Sequence, residues 1–213
     1  MRKRDLDWQP ELITHLHEER LDTVVRALLA SHSESVLDLG CGSGQLLVRL
    51  AAEKQFRKIV GIDQSQGALA EARALLSLPQ NAHDENRLSL YQASFTSSFE
   101  DMAEFDAAVM VETIEHVAPR LLSAVEQAVF GGLRPKTVII TTPNREYNVL
   151  HGLADGVFRH PEHRFEWTRA KFRSWAEGVA GRNGYEVEFE DIGERHPHHG
   201  SSTQMATFSR SPN

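Results

Sequence analysis

The sequence predicts an α/β chain built on a doubly wound, mostly parallel seven-stranded sheet with an antiparallel closing strand. Three observations predict it. Short apolar runs alternate with segments whose apolar residues recur at helical spacing, the pattern of strand–helix–strand units. The first run leads straight into Gly40-Cys41-Gly42-Ser43-Gly44, a glycine-rich turn at a strand-to-helix junction. The last two strand-like runs read as an antiparallel pair that ends the sheet. A length of 213 residues suits one such domain with a full core and is tight for two. The expectation is therefore a single domain over 1–213, with no internal repeat or linker and a helical segment at about 11–30 in front.

That leading segment carries Leu12, Leu16, Leu21, Val24, Val25, Leu28 and Leu29 at helical spacing, enough for one or two helices that cover the sheet. Ser35-Val36-Leu37-Asp38-Leu39 is the first strand, and a helix over 45–53 follows the glycines. A second strand runs over 58–62 and ends at Asp63, followed by a helix over 66–76. The third strand covers 88–92. The fourth, 105–111, is apolar throughout and expected to be buried on both faces. A helix is expected over 113–130, then a turn at Gly131-Gly132-Leu133-Arg134-Pro135. The fifth strand, 137–141, is rich in β-branched residues. Residues 143–166 read as a long irregular stretch, a length of loop that is often functional. A helix over 168–178 and strands over 185–190 and 205–208 finish the chain. His196-Pro197-His198-His199 reads as a mobile loop.

Charge narrows the function classes. The net charge is −7 with His neutral, which is not the footprint of a protein that wraps a duplex. Residues 134–173 are an exception, with eight Lys/Arg against four Asp/Glu. Any nucleic-acid contact should be small and local. No apolar run approaches the roughly 20 residues of a membrane span, and no apolar signal segment follows the basic Met1-Arg2-Lys3-Arg4-Asp5. The lone cysteine, Cys41, cannot form an internal disulfide. A cytoplasmic protein with no membrane partner is expected.

A glycine-rich turn alone is weak evidence of a ligand. Its context adds to it. Asp63 ends the next strand 23 residues after Gly40, where a carboxylate can hold both hydroxyls of an adenosine ribose. The loop lacks the last glycine of a dinucleotide fingerprint, and an acidic residue, Asp38, precedes the first one. In both respects it resembles the S-adenosylmethionine (SAM) methyltransferases, in which this segment lies near the amino-acid end of the cofactor. Asp38 would then meet an ammonium group, whereas a pyrophosphate would be repelled. Ala93-Ser94-Phe95 falls where that family lines the adenine. The candidate cofactor residues are Asp38, Gly40, Gly42, Gly44, Asp63 and Ser94.

Met110-Val111-Glu112-Thr113-Ile114-Glu115-His116-Val117 closes the fourth strand. If Glu112 starts a helical turn, Glu115 and His116 fall at i+3 and i+4 on the same face. Two carboxylates and an imidazole would converge at the reactive edge of the sheet. Quinone-biosynthesis methyltransferases carry a similar stretch, so it does not establish a metal site by itself. The long loop adds Phe158-Arg159-His160-Pro161-Glu162-His163-Arg164-Phe165-Glu166-Trp167-Thr168, dense in ligand-type side chains. A further ligand from there would complete a set of two oxygens and two nitrogens. Such a set with open positions suits Mg2+ or Mn2+ better than structural zinc.

With these segments the chain resembles the RNA 3′-terminal ribose 2′-O-methyltransferases. The match lies in residues 37–44, 111–117, Thr141-Thr142-Pro143-Asn144-Arg145-Glu146-Tyr147-Asn148, 159–169 and Gly200-Ser201-Ser202-Thr203-Gln204-Met205-Ala206. The resemblance implies that Glu112, Glu115, His116 and His163 bind a divalent metal, Mg2+ or Mn2+, whose open positions take the 2′- and 3′-oxygens of the terminal ribose. It makes Arg145, Arg159 and Arg164 candidates for phosphate contact, and Asn144 and Tyr147 candidates for the ribose or base pocket. It also implies an RNA 3′ end as substrate and, in bacterial relatives, an RNA end-healing kinase–ligase as partner. Two other readings compete. Methylation of a small phenolic or quinone-precursor substrate would explain residues 112–116 and the acidic charge, but not the crowding of Arg159, His160, His163 and Arg164. A catalytically dead binding subunit would not need the full set of candidate ligands.

Overall fold

The structure, a computed structural model, describes residues 10–78, 87–94 and 105–210, with side chains from residue 15 onward. The elements are α1 (Pro10–Ala30), β1 (Ser35–Leu39), α2 (Gln45–Ala52), β2 (Lys58–Asp63), α3 (Gln66–Leu75), β3 (Leu88–Gln92), β4 (Ala107–Val111), α4 (Leu122–Glu126), β5 (Thr137–Pro143), α5 (Arg169–Asn183), β6 (Glu186–Ile192) and β7 (Thr203–Ser209). The sheet has seven strands in the order β3-β2-β1-β4-β5-β7-β6. Strands β1 to β5 pair in parallel, and β7 is antiparallel to both β5 and β6. This is the class I methyltransferase fold expected from the sequence, with its antiparallel closing strand. The winding reverses between β1 and β4, and open α/β sheets bind their ligands at that point, beyond the carboxyl ends of the strands.

Alternating side chains divide the core into two layers. Leu37, Leu39, Ala108, Met110, Val138, Ile140 and Phe208 pack on one face with Phe130, Phe172 and Val179. Val36, Ala107, Val109, Ile139 and Met205 pack on the other with Leu21, Val24, Leu28 and Leu47. Strand β4 is buried on both faces, since residues Ala107 to Met110 expose 1% or less of their surface. The apolar stripe of α1 lies on the second layer through Leu21, Val24, Val25 and Leu28; the side chain of Leu12 and residues Met1 to Asp5 lie outside what is described. No helix of the described residues is long and apolar enough to cross a membrane.

The structure departs from the expected elements at three places. The helix expected over 113–130 is broken. Ile114–His116 forms a 3₁₀ turn, and Pro119–Leu121 forms another. Only then comes α4, which widens into a π-helical segment, Gln127–Leu133. Pro119 lacks an N–H and pushes Ala118 to extended backbone (φ −59°, ψ 132°), so the helix cannot run through. Within the long stretch, Arg145–His151 is a 3₁₀ helix. Finally, α5 continues to Asn183, with Thr168 as its cap, where its Oγ accepts from Lys171 N, and Gly184 in the left-handed region at its end.

Candidate functional site

The glycine turn is fastened to the end of β2. The N–H groups of Gly40 and Cys41 both donate to Ile62 O, at 2.8 and 3.0 Å. Gly40 has φ +85°, and a Cβ there would lie 2.5 Å from Thr113 Cγ2, so both conformation and space require glycine. Gly42 N donates to Asp63 Oδ2 at 2.9 Å, and Ser65 N donates to Asp63 Oδ1 at 2.8 Å. Each carboxylate oxygen keeps acceptor capacity beyond that one bond. Gln64 Nε2 donates to Ser94 Oγ at 3.2 Å. Asp38, Gly40, Gly42, Gly44, Asp63 and Ser94 thus gather at the carboxyl edge of β1, β2 and β3; Phe95 lies outside the described residues. Asp38 is buried, and burial, together with the nearby Asp63, raises its pKa to about 7. A cationic group docked against it would restore the ionised form.

Helix α1 walls this edge. His17 Nε2 lies 2.6 Å from Gln45 Oε1, just past the glycine turn, and Arg49 of α2 pairs with Glu18 and Asp22.

At the end of β4, Glu112 takes a left-handed backbone conformation, φ +50°. Its N–H donates to both Thr141 O and Thr141 Oγ1 at 3.1 Å, and the Thr141 hydroxyl donates to Glu112 Oε1 at 3.1 Å. Arg20 of α1 pairs with the other oxygen, Nη2 to Oε2 at 3.3 Å. Glu115 follows in the 3₁₀ turn and is fully buried. Its Oε2 accepts from the Thr142 hydroxyl at 3.0 Å, while its Oε1 is buried without a hydrogen-bond partner among the described residues. Burial, and then the neighbouring Glu112 charge, pushes the Glu115 carboxyl well above its ordinary range. The expected convergence of Glu112, Glu115 and His116 rested on one helical turn; here a left-handed residue and a 3₁₀ turn set their directions instead.

The segment after β5 folds over this edge. Arg164 N donates to Glu115 O at 2.7 Å. His163 Nδ1 lies 2.6 Å from Glu166 Oε1, and the same carboxylate accepts from Arg159 N at 2.7 Å and Asn148 Nδ2 at 2.5 Å. The rings of His116 and His163 meet edge-on, 4.8 Å between centroids. Among the described residues, the ligand atoms of His116, His160 and His163 lie within 4.8 Å of one another; Glu112 and Glu115 are not part of that group. Desolvation by its surroundings, then the rings of His163 and His160, hold the His116 imidazole below its ordinary pKa. Its nitrogens are accordingly biased to the neutral, ligating form.

The candidate substrate residues divide. Asn144 is fully buried, and its side chain is used within the chain: Nδ2 donates to His199 O (2.7 Å) and Ser201 O (2.9 Å), and Oδ1 accepts from Glu146 N (3.0 Å). Arg159 also turns inward, donating to Asn148 Oδ1 (2.6 Å), Asn144 O (2.6 Å), and both Ser202 O and Ser202 Oγ (2.9 Å). Arg145 stays at the surface with a loose pair to Asp155 at 3.7 Å, and Arg164 is exposed. The Tyr147 ring rests 5.2 Å from that of His151. The His196-to-His199 stretch is a tight turn, closed by paired bonds between His196 and Gly200 and by His196 Nδ1, which accepts from His198 N and His199 N.

Four participants had no role in the sequence reading: Arg20, Asn148, His160 as a neighbour of the His pair, and Glu166. Glu166 had a signal, since it stands three residues after His163 in a segment crowded with ligand-type side chains. Arg20 had none beyond its place on an amphipathic helix.

Comparison with known proteins agrees with this fold. Residues 36–136 match a family described as a methyltransferase domain. A small RNA 2′-O-methyltransferase of Xenopus tropicalis is 34% identical over 204 residues, covering 92% of this chain and 55% of the frog protein. The chain spans about half the length of the first curated relatives it matches. The methyltransferase domain of a bacterial Hen1, CtHen1-CN, superposes with a TM-score of 0.81 at 41% identity, covering 91% of this chain and 99% of that one. The small RNA methyltransferase HEN1 superposes with a TM-score of 0.82 at 30% identity, covering 92% of this chain and 26% of that one. At the identity and coverage found with the bacterial domain, the chain belongs to the Hen1 family of methyltransferase domains.

Proposed function

We propose, with membership in that family as the premise, that the chain transfers a methyl group from SAM to the 2′-hydroxyl of the 3′-terminal nucleotide of RNA, with a divalent cation, Mg2+ or Mn2+, held beside the acceptor. One observation carries the cation: Glu115 Oε1, a buried carboxylate oxygen without a hydrogen-bond partner among the described residues. Buried polar atoms are almost always satisfied, and a carboxylate oxygen is the most costly to leave bare. The set proposed to hold it, two carboxylates and two imidazoles, has the donor types that suit a cation favouring oxygen and borderline nitrogen. Glu112, Glu115, His116 and His163 would hold it.

SAM supplies an electrophilic methyl on a sulfonium, and the cation a Lewis acid that lowers the pKa of a ribose hydroxyl and orients it. The chain's own residues do the rest. Gly40, Gly42 and Gly44 let the backbone approach the cofactor, Asp63 accepts from its ribose hydroxyls, Asp38 faces its amino end, and Ser94 stands near the adenine. Arg145 and Arg164 contact phosphates near the RNA end, and Tyr147 borders the ribose. Asn144 and Arg159 shape this pocket from within, through the hydrogen bonds that lock residues 144–148 to 199–202. Glu166 orients His163. The whole chain acts as one domain, with α1 as the wall of the cofactor edge, and an RNA end-healing kinase–ligase is the partner class this reading implies.

The test is transfer of labelled methyl from SAM to RNAs that differ only at the terminal ribose, with Mn2+ and with EDTA. A normal end should be methylated only with metal. A 2′-deoxy end should accept nothing, and a 3′-deoxy end should react poorly because one oxygen is lost. Full activity on RNA in EDTA would remove the metal from the mechanism; no transfer to any RNA end, with Mn2+ or with EDTA, would bring forward the small-molecule reading.

A further inference from the structure

Helix α1 sends one side chain into the carboxylate edge. Arg20 Nη2 is 3.3 Å from Glu112 Oε2, and Arg20 Nε and Nη2 also lie 3.4 and 3.1 Å from Thr203 Oγ1 on β7. The Arg20 side chain is only 11% exposed. Among the described residues, it is the only lysine or arginine within ion-pair distance of Glu112 or Glu115. The other Glu112 oxygen is taken by the Thr141 hydroxyl.

We propose that Arg20 is a stand-in cation: it neutralises Glu112 in the metal-free chain and must give up that carboxylate when a divalent ion takes it. The inference rests on the proposed metal reading and deepens it. Two carboxylates at one partly dehydrated edge repel each other and need a positive charge beside them to stay in place. Arg20 provides it in direct contact before any ion arrives, with the Arg159 guanidinium as a more distant second charge. Once an ion sits on Glu112, the guanidinium and the ion carry the same sign across one carboxylate, and the pairing becomes a repulsion. Arg20 has somewhere to go, because Thr203 Oγ1 already accepts from its fork. It cannot move far, because α1 is tied to α2 through His17–Gln45 and through Arg49 with Glu18 and Asp22. Metal binding by this chain is therefore a competition, and its affinity is lower than the ligands alone would give.

The test is calorimetric titration of Mn2+ into the wild-type protein and Arg20→Met, which keeps helix propensity and most of the stem's packing while removing the charge. Arg20→Met should bind Mn2+ about tenfold more tightly, equivalent to about 1.4 kcal/mol. In EDTA it should melt below the wild type, and saturating Mn2+ should close that gap. Arg20→Lys keeps the charge but, on a shorter stem, loses the Nε contact with Thr203, so its affinity should fall between the two; it serves alone if Arg20→Met does not fold. A merely structural arginine would lower stability without tightening metal binding. Equal or weaker Mn2+ binding by both variants, beside clear binding by the wild type, overturns the role of Arg20 and leaves the proposed function intact. If no protein in the series binds Mn2+, the proposed function itself fails, and this inference with it.

Discussion

His163 is held in place by Glu166: its Nδ1 lies 2.6 Å from Oε1 of a carboxylate whose side chain has no exposed surface. Burial alone would raise the Glu166 pKa, but the hydrogen bonds from His163, Asn148 and Arg159 N outweigh it and keep the carboxyl below its ordinary range. Glu166 is therefore ionised and can only accept, so the Nδ1 of His163 donates to it, and Nε2 is the ring nitrogen that Glu166 does not engage.

Glu166→Gln should show what this orientation contributes. The amide can offer one acceptor oxygen but places a donor opposite Asn148 Nδ2, so the network cannot be kept whole. Loss of such a supporting carboxylate typically weakens metal binding or activity by about 10–100-fold. Mn2+ titration of the variant should fall in that range while its far-ultraviolet dichroism stays native. Wild-type Mn2+ affinity in the variant would show that His163 needs no such support.

His163 itself separates the metal reading from the small-molecule one, which gives it no task. His163→Ala should lower turnover at least about a hundredfold, roughly 3 kcal/mol in the barrier. Binding of S-adenosylhomocysteine should persist, because the His163 loop lies outside the strands that carry Asp38 and Asp63. Near-normal methyl transfer by this variant would argue against His163 as a ligand.

How legible these features were in the sequence follows from their physics. The parallel strands and the Gly40-to-Gly44 turn were readable because burial on both faces and left-handed backbone leave marks in residue type. The helix expected over 113–130 was not readable as broken from apolar spacing alone; Pro119 carried the signal, and the 3₁₀ turn that aims Glu115 is too short to leave a period. The polar residues of 144–166 identified a special region, but composition does not say which way a polar side chain faces. Arg145 points out, while Asn144 is buried, Arg159 is half-buried, and both are bonded within the chain. Arg20 meets Glu112 only because α1 packs across the sheet edge, a tertiary fact with no local trace.

Asp38 should make the stability of the ligand-free protein depend on pH with an unusual sign. In the unfolded chain it ionises near 3.8, and in the fold near 7. Between those values the folded protein holds a proton that the unfolded chain has released, so stability falls as pH rises from about 4 to 7 and levels off above. The full span corresponds to on the order of 4 kcal/mol. Asp38→Asn has no such group, so the difference in denaturation midpoint, variant minus wild type, should grow from pH 5 to pH 7.5. The same variant should bind S-adenosylhomocysteine more weakly, having lost the charge that faces an ammonium. A difference that shrinks with rising pH would contradict the buried, destabilised carboxylate.

Salt should affect RNA binding only gently. The stretch 134–173 carries eight basic residues, but the structure uses several of them internally. Arg159 is spent on Asn144, Asn148 and Ser202; Arg169 pairs with Glu146 at 2.7 Å; Lys136 pairs with Asp106 at 2.8 Å; Arg173 lies over the Phe189 ring. Arg164 and the loosely paired Arg145 are the best placed to meet phosphates near the site. Each single-strand phosphate neutralised contributes about −0.7 to the slope of log affinity against log salt. Anisotropy titrations of a labelled single strand across a KCl series should therefore give a slope of about −1 to −3. Arg145→Ala and Arg164→Ala should each make it shallower by roughly 0.7. A slope steeper than about −4 would mean more than five neutralised phosphates, and so a far wider free basic surface than an acidic chain with several of its basic side chains paired within the fold presents.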